Sequence, residues 1–457
     1  GFAGSQMKRF LDWNLVPFLS YIRAGMNFSY FIARNVARGG GASFSRMIIR
    51  IAVVAVAVSM AVMIAASSLI AGFKEEIADK IFGFWGHIHI TNPNISRSIT
   101  EVFPVDINQS FYPGLQDLEK VDYIKRENWL GQRIEREAQT NGGVRHIQSY
   151  AIYSGIIRAN DELEGVMLKG IGKDFDWEFL DRYLKEGTGL TLPDTSMGDG
   201  ILISQYTADR LRLGVGDKFS IFFVTSRYEQ LERRFTVEGI YRTGLEEYDR
   251  QFALVDIRKI QQILGWKENQ VSGFEVFIDD IDDLEIISDY IYYEEISDEL
   301  YAESIRKKMR AIFEWLDLQD VNEWVIIGLM LVVSIINMVT ALLILILERT
   351  NMIGTLKSLG ASNWSIRRVF LYYAGYIILV GLFWGNFFGL GLCWIQDTFG
   401  LITLDEKNYY LSVAPVKIRW WTILLLNIGT LLVTLIFLIL PSYLVARIDP
   451  VKALRFK

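Results

Sequence analysis

The stretch IAVVAVAVSMAVMIAASSLIA, Ile51 to Ala71, runs 21 residues without an ionisable side chain. A helix that crosses a bilayer needs about 20 mostly apolar residues, so this stretch decides how the rest of the chain is read. It starts too far into the chain, and is too long, for the apolar core of a secretory signal. Three later stretches share its character: Trp324–Leu347 with 24 residues, Val369–Gln396 with 28 and Trp420–Ala446 with 27. The sequence therefore predicts a membrane α-helical protein with four transmembrane helices. Between the first and second lie residues 72–323, enough chain for a folded domain or two small ones.

Lys and Arg set the orientation of such a protein. Residues 1–50, 348–368 and 443–457 together carry 15 basic and 3 acidic residues, and all three fall on one side if every helix spans. That side is placed in the cytoplasm. The other side carries 32 basic and 50 acidic residues, a balance that argues against nucleic acid as a partner. The expected organisation is a cytoplasmic segment 1–50, TM1 at 51–71, an external domain at 72–323 and TM2 at 324–347. A cytoplasmic loop at 348–368, TM3 at 369–396, an external loop at 397–419, TM4 at 420–446 and a cytoplasmic tail at 447–457 complete it. Phe28–Arg38 reads as an interfacial amphipathic helix, and Met7 or Met26 as the start residue.

Within 72–323, β-branched and aromatic alternation marks strands at Gly86–Thr91, Ala151–Arg158, Gly165–Ile171, Lys218–Val224, Arg234–Tyr241 and Gly273–Ile278. Helical spacing marks Ser204–Leu213, Asp256–Leu264 and Ala302–Leu318, with Ser204 and Asp256 as N-caps. The elements do not form a regular βαβ series, so the domain is expected to be α+β.

Little chemistry is available to this chain alone. One cysteine, Cys393, excludes an internal disulfide, and the three histidines are His87, His89 and His146. His87-x-His89 has neither Cys nor a carboxylate cluster beside it, and Asp279–Asp283 lacks the glycine and glutamate of a calcium loop, so no metal is expected. The helix interiors hold no ionisable group of the kind a proton pump uses. No G-x-x-x-x-G-K-[ST] loop is present, so ATP, if it drives this protein, is bound by another polypeptide. The chain is expected to be no enzyme. Gly381, Gly385 and Gly389 share one face of the third helix and read as helix-packing positions.

ERTNMIGTLKSLGAS, Glu348 to Ser362, is a short helix-forming stretch with Gly360 as its C-cap. It resembles the cytoplasmic loop E-R-x-x-E-I-x-x-L-+-x-x-G-A-s of the FtsX-like ABC permeases. Pro441-x4-Ala446-Arg447-Ile448-Asp449-Pro450-Val451-Lys452-Ala453-Leu454-Arg455 resembles that family's ending, and Ala71-Gly72-Phe73-Lys74-Glu75-Glu76 its N-G-F-x-x-E segment. Gly165–Ile171 and Gly200–Ser204 resemble strand motifs of the lipoprotein-releasing permeases of the LolC/LolE type. Met352 and Lys452 depart from the acids common in the family. The 225–233 connection is short and lacks proline, unlike the LolC-type hook that recruits a chaperone.

The resemblance implies a permease subunit that extracts outer-membrane lipoproteins from the inner membrane by mechanotransmission. Its partners would be a LolD-like ATPase carrying ATP and Mg, a second permease subunit, lipoprotein, membrane lipid and a periplasmic LolA-like chaperone. It places ATPase coupling on Thr350, Met352, Ile353, Thr355, Leu356, Lys357, Leu359 and Gly360, with Ile353, Leu356 and Leu359 as an apolar stripe facing the ATPase. It places a substrate cavity on Met63, Ser67, Ile70, Ile327, Leu331 and Ser334, and a chaperone loop on Arg227, Tyr228 and Leu231. Two alternatives stand beside it: MacB-like efflux of peptides or small hydrophobic molecules, and FtsX-like signalling without transport.

Overall fold

The computed structural model describes residues 43–94, 103–129, 132–160, 162–194, 197–224, 230–405 and 409–447. The expected interfacial helix Phe28–Arg38, the start residues Met7 and Met26, and the tail beyond Arg447 lie outside them. The described chain divides into two compact units. One holds residues up to 73, 318–402 and those from 414; the other holds 74–317 and 403–413.

Helix α1, Ser43–Trp85, is 43 residues long, about 65 Å at 1.5 Å per residue, and so continues well beyond the apolar stretch 51–71. Gly86, at a φ of 72°, ends it. The chain then enters a mixed sheet of ten strands. In chain order the strands of this unit are β1 (Ile88–Thr91), β2 (Val105–Asp106), β3 (Asp122–Trp129), β4 (Gln132–Gln139), β5 (Val144–Ala159), β6 (Glu162–Ile171) and β7 (Leu184–Gly187). They continue with β8 (Gly200–Ser204), β9 (Lys218–Val224), β10 (Gln230–Tyr241), β11 (Phe252–Asp256), β12 (Gln270–Val271), β13 (Gly273–Ile278) and β14 (Tyr301–Ser304). The large sheet runs β14-β1-β13-β5-β6-β11-β8-β10-β7, with β9 pairing both β10 and β5. Strands β3 and β4 form a separate hairpin, and β2 pairs with β12.

Short helices cover the sheet. Helix α2 (Glu178–Tyr183) precedes α3 (Gln205–Leu211), whose N-cap Ser204 accepts from the Thr207 amide. Helices α4 (Glu246–Gln251) and α5 (Ile257–Leu264) follow, the latter capped by Asp256 accepting from the Arg258 amide. Capping of this kind satisfies amides that a helix start leaves unpaired. Leu168, Ile201, Phe223, Phe235, Val255 and Ile260 fill the core between sheet and helices.

Helix α6 (Leu284–Tyr290) leads through β14 to α7 (Ile305–Lys308). Here the structure departs from the expected helix Ala302–Leu318. Residues 301–304 are a strand because their backbone pairs with β1, Ala302 opposite Ile90. Helix α8, Arg310–Glu348, then runs 39 residues. After it come α9 (Thr350–Ser358), α10 (Asn363–Phe399), α11 (Trp420–Ser442) and α12 (Leu444–Arg447). Among the described residues, four helices are long and apolar enough to cross a membrane, those built on α1, α8, α10 and α11.

Polar side chains tie this helical unit together. Asn386 of α10 and Asn427 of α11 exchange two amide hydrogen bonds, at 2.7 and 3.0 Å. Gln396 donates to the Ala414 carbonyl at 2.9 Å and accepts from the Ile402 amide at 2.8 Å. Gly72 of α1 lies so close to the connection between α10 and α11 that a Cβ there would sit 2.6 Å from the Pro415 carbonyl oxygen.

Candidate functional site

The connection from α8 to α10 is a helix fastened at both ends. At its start the Thr350 hydroxyl donates to the Leu347 carbonyl at 2.6 Å. At its end Gly360 takes a φ of 88°, its amide donates to the Lys357 carbonyl, and the Ala361 amide donates to Leu356. Those two bonds make a Schellman motif, which glycine enters without the steric cost of a side chain.

The faces of α9 are unlike. Ile353 is fully buried, and Met352 and Leu356 pack against the same apolar interior as Leu345, Ile366 and Phe370. Thr350 and Lys357 are half-buried, and Lys357 donates to the Ala446 carbonyl at 3.3 Å. Asn351, Thr355, Ser358, Leu359 and Gly360 are exposed, Leu359 at 79%. The expected stripe of Ile353, Leu356 and Leu359 thus divides: two members turn into the protein's own bundle and only Leu359 faces outward. An apolar stripe must be covered, and here α8 and α10 cover it.

The six expected cavity residues lie mostly inside the bundle. Met63, Ile327 and Ser334 are buried, and Ile70 and Leu331 are half-buried. The Ser67 hydroxyl donates to Glu323 of α8 at 2.6 Å. The open space is elsewhere. A groove of about 1070 Å³ is bounded by Val54, Val58, Ala61 and Val62 of α1 and by Trp384 and Phe388 of α10, with Arg50 at one end. At 100° per residue, positions 54, 58 and 61 lie about half a turn around α1 from positions 63, 67 and 70. Gly381, Gly385 and Gly389 bring α10 onto α1: a Cβ on them would meet Val56, Met60 and Ala61 at 2.7, 2.6 and 3.0 Å.

Other expected positions fall in the sheet unit. Leu231 lies in β10, half-buried against the domain core, while Arg227 and Tyr228 lie outside the described residues. The carboxylates of 279–283 bond backbone: Asp279 accepts from the Gly143 amide, and Asp283 from the amides of Asn141 and Gly142. His87 stacks on Phe82 at 4.7 Å and its Nδ1 accepts from the Ile278 amide. Burial, then the charge of Arg145, pushes its pKa down to about 4. His89 is held well below its ordinary range, first by burial and then by Lys308. Among the described residues no three His, Cys, Asp or Glu side chains are grouped to hold a metal.

Comparison with known proteins agrees with this architecture. The family described as MacB-like periplasmic core domain matches residues 51–291, and that described as FtsX-like permease C-terminal matches 324–450. LolE of Haemophilus influenzae, a lipoprotein-releasing system transmembrane protein, is 22% identical over 94% of this chain and 99% of its own length. LolC of Xylella fastidiosa strain Temecula1 is 23% identical over 69% of this chain and 78% of its own. The extracellular domain of the noncanonic ABC-type transporter YknZ overlaps 35% of this chain and 81% of its own at 16% identity, with a TM-score of 0.26 that carries no fold argument. Four spanning helices, a large α+β domain between the first two and both family matches have one reading: the chain belongs to the FtsX/MacB-type ABC transporter permeases, and is a multi-pass membrane subunit similar to LolC and LolE.

Proposed function

We propose that this permease releases lipoproteins from the outer leaflet of the bacterial inner membrane, with both of its termini in the cytoplasm. A separate LolD-like ATPase, carrying ATP and Mg, would dock against the outward face of α9. A second permease subunit would complete the transporter, and a LolA-like chaperone would receive the product. The observation that carries this reading is the near end-to-end correspondence with LolE, 94% of this chain against 99% of that one.

The physical problem such a transporter solves is the lipid anchor. Each buried CH₂ contributes about 0.8 kcal/mol, so two or three acyl chains do not leave the bilayer unassisted on a useful timescale. An apolar surface within the permease lowers that cost. Two candidates are present: the groove beside Val58 and Val62, and the seam of α1 with α8 that the Ser67–Glu323 hydrogen bond marks, with Met63 and Ile70 on α1 and Leu331 on α8. The groove is already open, which favours it.

Photo-crosslinkers at Val58, Val62, Met63, Ile70 and Leu331 test this directly. Lipoprotein captured at Val58 and Val62, and less of it after ATP addition, supports release through the groove. Capture at Met63, Ile70 or Leu331 instead supports the seam. Phospholipid alone at all five, with lipoprotein sorting unchanged when the protein is depleted, moves the reading to MacB-like efflux or FtsX-like signalling.

A further inference from the structure

The last turn of α1 contains no basic residue to complement the negative end of its helix dipole. Its carbonyls are met instead by side chains from the sheet. Lys169 Nζ of β6 donates to the Phe84 carbonyl at 2.5 Å, and His89 of β1 donates through Nε2 to the Trp85 carbonyl at 2.7 Å. Lys169 is 1% exposed and lies 5.0 Å from the ring centres of both Phe84 and Trp85.

These side chains belong to one polar row across the sheet. Glu303 of β14 stands opposite His89, His89 opposite Glu275 of β13, and Glu275 opposite Gln148 of β5. Directly opposed residues share a face of a sheet. Glu275, fully buried, lies 2.7 Å from Lys169 and accepts from Gln148 at 2.7 Å. Lys308, one residue before the break that precedes α8, donates to His89 Nδ1 at 2.9 Å. The end of α1 and the approach to α8 are therefore fastened to the same row.

Burial acts against charge on both Lys169 and Glu275, and their mutual attraction acts in favour of it. A buried pair of this kind adds little stability over well-packed apolar residues of similar size. What it adds is direction: the hydrogen-bonded ammonium holds the Phe84 carbonyl against β6.

We propose that Lys169, held by Glu275, is a positioning residue of the transport cycle, fixing the end of α1 to the sheet so that a displacement of the helix is delivered to the domain. This rests on the ATP-driven permease reading above.

The test uses the complex as purified from cells, in lipid nanodiscs, with ATP-dependent hydrogen exchange followed in α1, α8 and the strands β1, β6 and β13. Lys169→Met alone leaves Glu275 buried without its partner and lowers the melting temperature. Lys169→Met/Glu275→Gln removes both charges, leaves Gln148 a partner and brings melting back toward wild type. In the double variant the ATP-dependent change in the helices is expected to persist, while that in the three strands falls severalfold. A double variant whose strands still respond like wild type overturns the joint, since stability was then all the pair provided. A wild-type complex in which ATP alters neither helices nor strands overturns the transporter reading and the joint with it.

Discussion

The amide of Ala361 donates to the carbonyl of Leu356 at 3.0 Å across a glycine at a φ of 88°. That bond closes α9, and it needs the left-handed backbone that Gly360 supplies. Space is not the constraint, because a Cβ on Gly360 would meet nothing within 4 Å. The cost of Gly360→Ala is the left-handed backbone, about 1–2 kcal/mol. The expected result is a small fall in melting temperature and a weaker hold on the ATPase during purification. Gly360→Asn, which tolerates this conformation better, should lie between the two.

Ile353 and Leu359 should respond differently to the same substitution. Ile353→Asp places a charge in the fully buried interior, at a cost of several kcal/mol. The permease itself is expected to melt earlier. Leu359→Asp changes an exposed position and should leave melting unchanged while reducing ATPase co-purification. Equal melting temperatures for the two variants would contradict the inward placement of Ile353.

His87 gives the sheet unit an acid-sensitive component. Its pKa is about 4 when folded against an ordinary 6.5. Between those values the unfolded chain binds more protons, so stability falls as pH falls from about 6.5 to about 4, and the contribution is complete above that window. The full loss is about 3 kcal/mol at one to one and a half kcal/mol per pH unit. His89 adds to it in the same direction. Melting curves of wild type and His87→Phe across pH 7 to 4 check this: the variant should lose less stability over the window, whatever its starting value.

Orientation is open to chemical labelling. Cysteines introduced at Asp194 and Leu359, both exposed, should react on opposite sides of the membrane. A membrane-impermeant maleimide added to spheroplasts is expected to reach the first and not the second. Native Cys393 is buried and should stay silent. Labelling at Leu359 from outside would reverse the assignment drawn from the 15-to-3 basic excess.

Much of this protein is readable from neighbours along the chain. Four runs without charge predict four spanning helices, and alternation at Lys218–Val224 and Gly273–Ile278 predicts β9 and β13 with the observed bounds. Ser204 and Asp256 announce the starts of α3 and α5, because a cap acts within three residues of itself. Lys169, the one charge in the apolar second half of β6, and Glu275, the one charge of β13, are each visible as a signal of burial with a partner. That they partner each other is not visible, since 105 residues separate them in the chain.

Only the tertiary structure decided which way the apolar faces turn. Within α1 the stretch Ile51–Ala71 is apolar on every side, so nothing in it distinguishes buried Met63 from Val58 on the groove. Ile353 and Leu356 form a stripe that either the bundle or a partner could cover, and α8 and α10 cover it. Ala302–Ser304, the start of the helix expected at Ala302–Leu318, belongs to a strand, because β1 offers its backbone hydrogen bonds there. Local spacing sets what an element is when its own neighbours supply the energy. Distant segments set it when burial and pairing do, and those contacts exist only once the chain has folded.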